Sequence, residues 1–152
     1  MEKKYKLTEE TIKVEGSILY RIEALQDFSD VKQGDKGGYV EKEENLSQSG
    51  DCWIYNDAMV YGNAQVCGDA MVCGDAIVCD DAQVYGDAVV YGDAVVYGDA
   101  IVCGNAKIYG NAKVYGEADV CDNAVVRDNA KVHGDAVVCG DMVVCGNAVV
   151  YD

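Results

Sequence analysis

The sequence predicts an all-β fold: a parallel β-helix built as a triangular solenoid, three hexads per coil, with a small N-terminal β-hairpin cap. Three observations carry this. A six-residue word runs seventeen times from Gly50 to Tyr151 without an insertion. Most of the words join a Gly-Asp or Gly-Asn turn pair to Ala, a variable residue, Val, and Tyr or Cys. The residues before Gly50 break this pattern and read as a hairpin. A fixed short period means stacked identical units, and a six-residue period is a β-helix signal.

In chain order, TIKV and SILYRIEAL flank Glu15-Gly16, a turn signal, and form the expected hairpin. Gly34 to Gly38 (GDKGG) is expected as a loop, and Tyr39, Val40 and Leu46 lead into the first regular hexad. The expected organisation is a capping segment over residues 1–49 and a hexapeptide-repeat β-helix over 50–152, since an array needs a capping unit at its open end. The array runs to Val149-Val150-Tyr151-Asp152 without a divergent repeat, so end-to-end stacking on another molecule is a further expectation.

Within each word, Ala and Val point to one side and the variable residue to the other, because strand side chains alternate. Val favours strands, and Gly followed by Asp or Asn tolerates the left-handed backbone of a corner. Three hexads per coil place residue i under residue i+18, so seventeen hexads make five to six coils. At ~4.8 Å per coil the prism is roughly 27 Å long. Its interior is filled by Ala and Val, with Ile at 54 and 108, and is too narrow for a ligand.

The outward columns follow from the same stacking. One runs Trp53, Met71, Val89, Lys107, Val125, Val143; the second Met59, Ile77, Val95, Lys113, Lys131, Val149; the third Gln65, Gln83, Ile101, Asp119, Val137. Two faces are mostly apolar where alternation turns them to solvent. The adjoining corners put Tyr91 over Tyr109 and Tyr97 over Tyr115. A continuous apolar patch of this size marks an interface. The expected state is therefore a homo-oligomer, a trimer or a dimer.

The formal charge of −15 is concentrated in the array, with four Lys/Arg against sixteen Asp/Glu in residues 50–152. That disfavours direct nucleic-acid binding, which needs clustered Lys and Arg, and suits cations or a protein with a basic surface. No run approaches the ~18–20 apolar residues of a membrane span. MEKKYKLTEE lacks the apolar stretch of a signal peptide, so the cytoplasm is the expected compartment.

Candidate chemistry is sparse. His133, the single histidine, stands in the column of Tyr115 and Tyr151. It is the candidate general base if the protein is an enzyme. The corner acids form expected ladders: Asp51, Asp69 and Asp87; Asp57, Asp75 and Asp93; Asp81, Asp99 and Asp135 with Glu117 among them. Such ladders offer oxygen ligands to Ca²⁺. Asn at 63, 105, 111, 123, 129 and 147 favours turn chemistry instead, because geometry survives there and charge does not. All eight Cys lie in the array without a CxxC pair, seven in the final hexad column and Cys52 at an Ala position. They read as small apolar residues. The Cys103–Cys121–Cys139 column is straight and does not converge on a metal, so no metal site is expected.

The A-x-V-Y/C-G-D/N word resembles the hexapeptide-repeat proteins that form left-handed parallel β-helices, and the resemblance covers residues 50–151. The handedness is what the resemblance implies. A narrower likeness lies in DFSDVK at 27–32, GGYV at 37–40 and NLSQSGDCWIY at 45–55. These segments are similar to the N-terminal region of bacterial and phage YdcK-like proteins, which are labelled acetyltransferases. The resemblance implies acetyl-CoA as cofactor and His133 as the base; the residues alone imply no cofactor. The leading expectation is a non-catalytic structural or protein-interaction β-helix, self-associating through its apolar Val/Tyr faces. An acetyl-CoA-dependent acyltransferase is one alternative. An acidic, phage-type decoy for a host nucleic-acid-binding or defence protein is the other.

Overall fold

The computed structural model describes residues 2–151; Met1 and Asp152, the outermost residues of the two expected segments, lie outside it. Among the described residues the chain is all-β apart from a single 3-10 turn at Glu43–Asn45. Strands β1 (Tyr5–Val14) and β2 (Ser17–Ala24) form the hairpin, with Val14 opposite Ser17. Glu15 and Gly16 both adopt positive φ, 49° and 86°. That pair of left-handed residues matches the right-handed twist of the flanking strands.

Strand β3 (Lys36–Val40) corrects the expected loop at Gly34–Gly38. It pairs antiparallel with β2 on one side and parallel with Met59–Val60 on the other. The glycines there mark close approach rather than a turn. A Cβ on Gly37 would lie 2.6 Å from the Ile54 carbonyl oxygen, and one on Gly38 2.4 Å from that of Ala58.

Seventeen two-residue strands follow, β4 (Trp53–Ile54) to β20 (Val149–Val150), one for each hexad. They stack into three sheets, a β-solenoid of about six turns. Val89 pairs with Met71 on one side and Lys107 on the other, eighteen residues away in each direction. Between coils, Val89 N–H donates to Ala106 O, Tyr91 N–H to Ile108 O and Asp93 N–H to Gly110 O, at 2.9–3.0 Å. The Ala94 N–H closes the corner onto Tyr91 O at 3.4 Å. Backbone polar groups are thus satisfied by the next copy of the same word.

The core is the pair of Ala and Val columns, from Ala58 and Val60 to Ala130 and Val132, essentially without solvent exposure. Ile54 and Ile108 take Val positions in it.

The first coil is longer than the rest. Tyr39 pairs with Met59 and Leu46 bridges Val66, a spacing of twenty, before Trp53 and Met71 settle to eighteen. The two extra residues lie in the corner at Ser47–Gly50, after the 3-10 turn. Asn45, fully buried, ties the turn at Glu41–Asn45 to the next coil. Its Oδ1 accepts the N–H groups of Glu41 and Lys42, and its Nδ2 donates to the carbonyls of Gly62 and Ala64. Among the described residues no helix is long and apolar enough to cross a membrane.

Candidate functional site

The strand alternation that buries Val turns the variable residue of each hexad outward, and this builds the two apolar faces. Met71, Val89 and Val125 run down one face, Ile77 and Val95 down the next; each is half-buried in the single chain. Val143 is 51% exposed. Lys107 interrupts the first face, Lys113 and Lys131 the second, and all three are exposed. The third face carries exposed Gln65 and Gln83 with half-buried Asp119.

Trp53 heads the outward column assigned to it, paired with Met71, but does not meet solvent. The N-terminal unit lies over it, leaving it 1% exposed. Tyr5 and Phe28 meet its ring edge-to-face at 6.1 and 5.3 Å between centroids. Tyr39, at the head of the second face, is covered too: the Arg21 guanidinium sits 4.3 Å from its ring centroid. Arg21 also donates to the Gly37 carbonyl and the Tyr39 hydroxyl, and pairs with Glu10 and Asp57.

The corners hold aromatic ladders. Tyr91 stacks on Tyr109 at 4.8 Å. Tyr97, Tyr115, His133 and Tyr151 form one continuous stack with centroid spacings of 4.8, 4.9 and 5.3 Å. His133 is therefore a ring between two tyrosine rings, with only its edge free for proton chemistry. Burial, then the neighbouring Tyr115, pushes the Tyr97 hydroxyl above its ordinary range; burial and Tyr109 do the same to Tyr91.

The nine corner aspartates expected as ladders, Asp51, Asp57, Asp69, Asp75, Asp81, Asp87, Asp93, Asp99 and Asp135, are all exposed. The Asp69 carboxylate accepts the Asp51 N–H at 3.1 Å, and that of Asp81 accepts the Asn63 amide at 3.1 Å. Where Asn replaces Asp the amides stack on one another, Asn105 on Asn123 and Asn111 on Asn129.

A second set of side chains was not expected from the word. Asn56, Asp80, Asp122 and Asp128 occupy the glycine position of the corner with φ between 58° and 61°. Each reaches one coil along: Gly74, Gly98, Gly140 and Gly146 donate their N–H groups to these side chains at 2.9–3.0 Å. The hydrogen bond compensates the left-handed backbone that glycine adopts at no cost. The signal was visible as breaks in the Gly column.

The eight cysteines are free thiols. Burial, followed by Asp80, raises Cys79 to about 11. Burial, followed by Asp122, Cys103 and Cys139, raises Cys121. Cys52 lies under the cap, and the buried Lys4 ammonium donates to its carbonyl at 2.7 Å and its sulfur at 3.4 Å. Burial raises that thiol while Lys4 opposes the shift. A shallow, open depression of about 400 Å³ lies on the hairpin among Lys6, Thr8, Glu10, Glu23 and Lys36, where β1 bulges between Leu7 and Thr11. It is built from β1 and β2 with Lys36 of β3, not from the ladders or apolar columns.

Residues 64–80 and 82–98 match the sequence model of the YdcK Beta solenoid repeat. The chain is also 39% identical over 62 residues to the uncharacterized acetyltransferase YdcK of Escherichia coli (strain K12), a match covering 36% of this chain. It spans 19% of that protein's length.

Proposed function

We propose, for a chain of the YdcK-like group whose repeats are of the YdcK β-solenoid type, a structural or protein-interaction role exercised by self-association through its two apolar faces. The observation that carries this reading is the continuity of the outward columns. At their heads Trp53 and Tyr39 are 1% and 7% exposed under the chain's own N-terminal unit. Further along the same columns, beyond the N-terminal unit, Met71, Val89, Ile77 and Val95 stay partly exposed.

A second copy is the partner whose side chains repeat at the same ~4.8 Å rise, so its ridges mesh coil by coil. Pairing one apolar face with the other of a neighbour is head-to-tail and closes a ring; we take a trimer as the assembly. Lys107, Lys113 and Lys131 then face the acidic corners of adjoining copies, offsetting repulsion between chains of net charge −15.

Light scattering coupled to gel filtration tests this. The wild type should elute with three times the mass of one chain. The Val89→Lys/Val95→Lys variant, altered only at outward positions, should elute as a monomer with an unchanged circular dichroism spectrum. A monomeric wild type, or a variant that keeps the assembled mass, sinks the proposal.

Acyl transfer is the second reading, favoured by the label of the YdcK relative and by a single histidine whose edge is free. Calorimetric titration with acetyl-CoA decides it. Heat saturating at one ligand per chain, with transferase activity lost in His133→Ala, supports it; no binding removes it.

A further inference from the structure

The corner at Cys121 brings two thiols and a carboxylate together. The Cys121 sulfur, a carboxylate oxygen of Asp122 and the Cys139 sulfur all lie within 4.8 Å of one another. The two cysteines occupy equivalent positions in adjacent coils, held by the Cys121 N–H donating to Val138 O at 2.9 Å. A straight cysteine column alone does not converge. Asp122 changes this because it stands where the same column otherwise has glycine, at Gly104 and Gly140, and its left-handed backbone, φ 58°, places the carboxylate beside both sulfurs.

That carboxylate is also oriented. Its Oδ2 accepts the Gly140 N–H at 2.9 Å, the kind of outer hydrogen bond that fixes a metal-ligating carboxylate. The other corner acids lack the combination. Asp80 follows Cys79, but the next coil supplies Tyr97 there; Asp128 follows Arg127 and pairs with it at 3.4 Å.

We propose that Cys121, Asp122 and Cys139 form a zinc-binding site, independent of the assembly proposed above. Two thiolates and a carboxylate suit a borderline-soft divalent ion better than Ca²⁺ or Mg²⁺, which take oxygen ligands. Tetrahedral sulfurs at Zn–S bonds of about 2.3 Å stand roughly 3.8 Å apart, so rotation of the side chains closes the site. On binding, the zinc ion accepts electron pairs from both sulfurs and the carboxylate, and each thiol releases its proton to solvent. Three protein donors leave a fourth position for water, or for a donor group on a bound molecule.

The test is titration of the full reduced chain with Zn²⁺ by calorimetry, and with Co²⁺ while following the thiolate-to-cobalt charge-transfer absorption. The expected result is one ion per chain and a cobalt band displaced by Zn²⁺. Cys121→Ser/Cys139→Ser should lose the band. Asp122→Gly restores the residue its column otherwise carries, so the fold is retained, and should weaken binding at least tenfold. Asp80→Gly and Asp128→Gly make the same exchange at other corners and should leave affinity unchanged. Absence of saturable binding by the wild type, wild-type affinity in Asp122→Gly, or a band that survives in the double serine variant each overturns the site.

Discussion

The first coil and the coils that follow it solve the same problem by different means. From Val89 onward, a peptide group finds its partner in an identical peptide group one coil along, and side chains contribute little to the ladder. In the first coil individual side chains supplement that backbone ladder. Asn45 serves four backbone groups, the Lys4 ammonium serves the carbonyls of Gly50 and Cys52, and Arg21 straps the hairpin to the corner at Asn56–Asp57. A repeat unit is completed by its neighbour; an end unit must be completed by residues used nowhere else. This is why the irregular first fifty residues hold both buried polar side chains found among the described residues, Lys4 and Asn45.

The sharpest way to break this contrast is at the junction. Trp53→Ala removes the ring on which Tyr5 and Phe28 rest. It should cost about 3–5 kcal/mol, read as a lower urea midpoint by circular dichroism. Val90→Ala, deep in the regular array, removes two methyl groups between identical neighbours. Its expected cost is about 2 kcal/mol. A Val90→Ala loss equal to or larger than that of Trp53→Ala would mean that the cap adds no stability of its own.

A smaller effect separates the two kinds of corner. Gly92 has φ 68°, and a Cβ there would stand 3.1 Å from the Gly110 nitrogen. Gly92→Ala should cost about 1–2 kcal/mol from the left-handed backbone. Gly92→Asn should cost less, because its side chain can accept the Gly110 N–H as Asn56 accepts that of Gly74. Equal losses from the two substitutions would remove the compensating role assigned to Asn56, Asp80, Asp122 and Asp128.

The smallest expected effect is a pH dependence. Burial holds the Cys79 thiol at about 11 in the folded chain, against an ordinary value of 9.0. Above the ordinary value the unfolded chain loses this proton while the folded chain keeps it, so folding is penalised. The contribution is full below pH 9.0 and is lost as pH rises through about 11. Melting temperature should fall across that window, and Cys79→Ala should flatten part of the fall. An unchanged slope in the variant would place the alkaline sensitivity elsewhere.

The regular coils were legible in the sequence because one physical demand, small apolar residues inward at every sixth position, recurs until it outweighs any local irregularity. Ala88, Val90 and Val96 are buried as their places in the word require. The first coil was not legible in the same way. Gly37 and Gly38 look like loop residues until Ile22, Ile54 and Ala58 are seen to crowd them. Trp53 obeys the outward alternation, and only the long-range return of Tyr5 and Phe28 buries it. The acids at 80, 122 and 128 read as lost glycines, since their value depends on an N–H eighteen residues away. Cys121 and Cys139 could be aligned from the period, whereas the carboxylate between them depended on the backbone of Asp122.

The eighteen-residue register makes length a quantised property of this molecule. Removing residues 87–104 would join Gly86 to Asn105 and regenerate an intact Gly-Asn corner, with each remaining inward Ala and Val standing above the same kind of neighbour as before. The hairpin and the cysteine corner would be carried over unaltered, set closer by one ~4.8 Å step. Duplicating that stretch would move them apart by the same step. The solenoid is thus a molecular ruler that can be cut or extended in whole graduations, and a deletion that is not a multiple of six would turn its inner columns out of line.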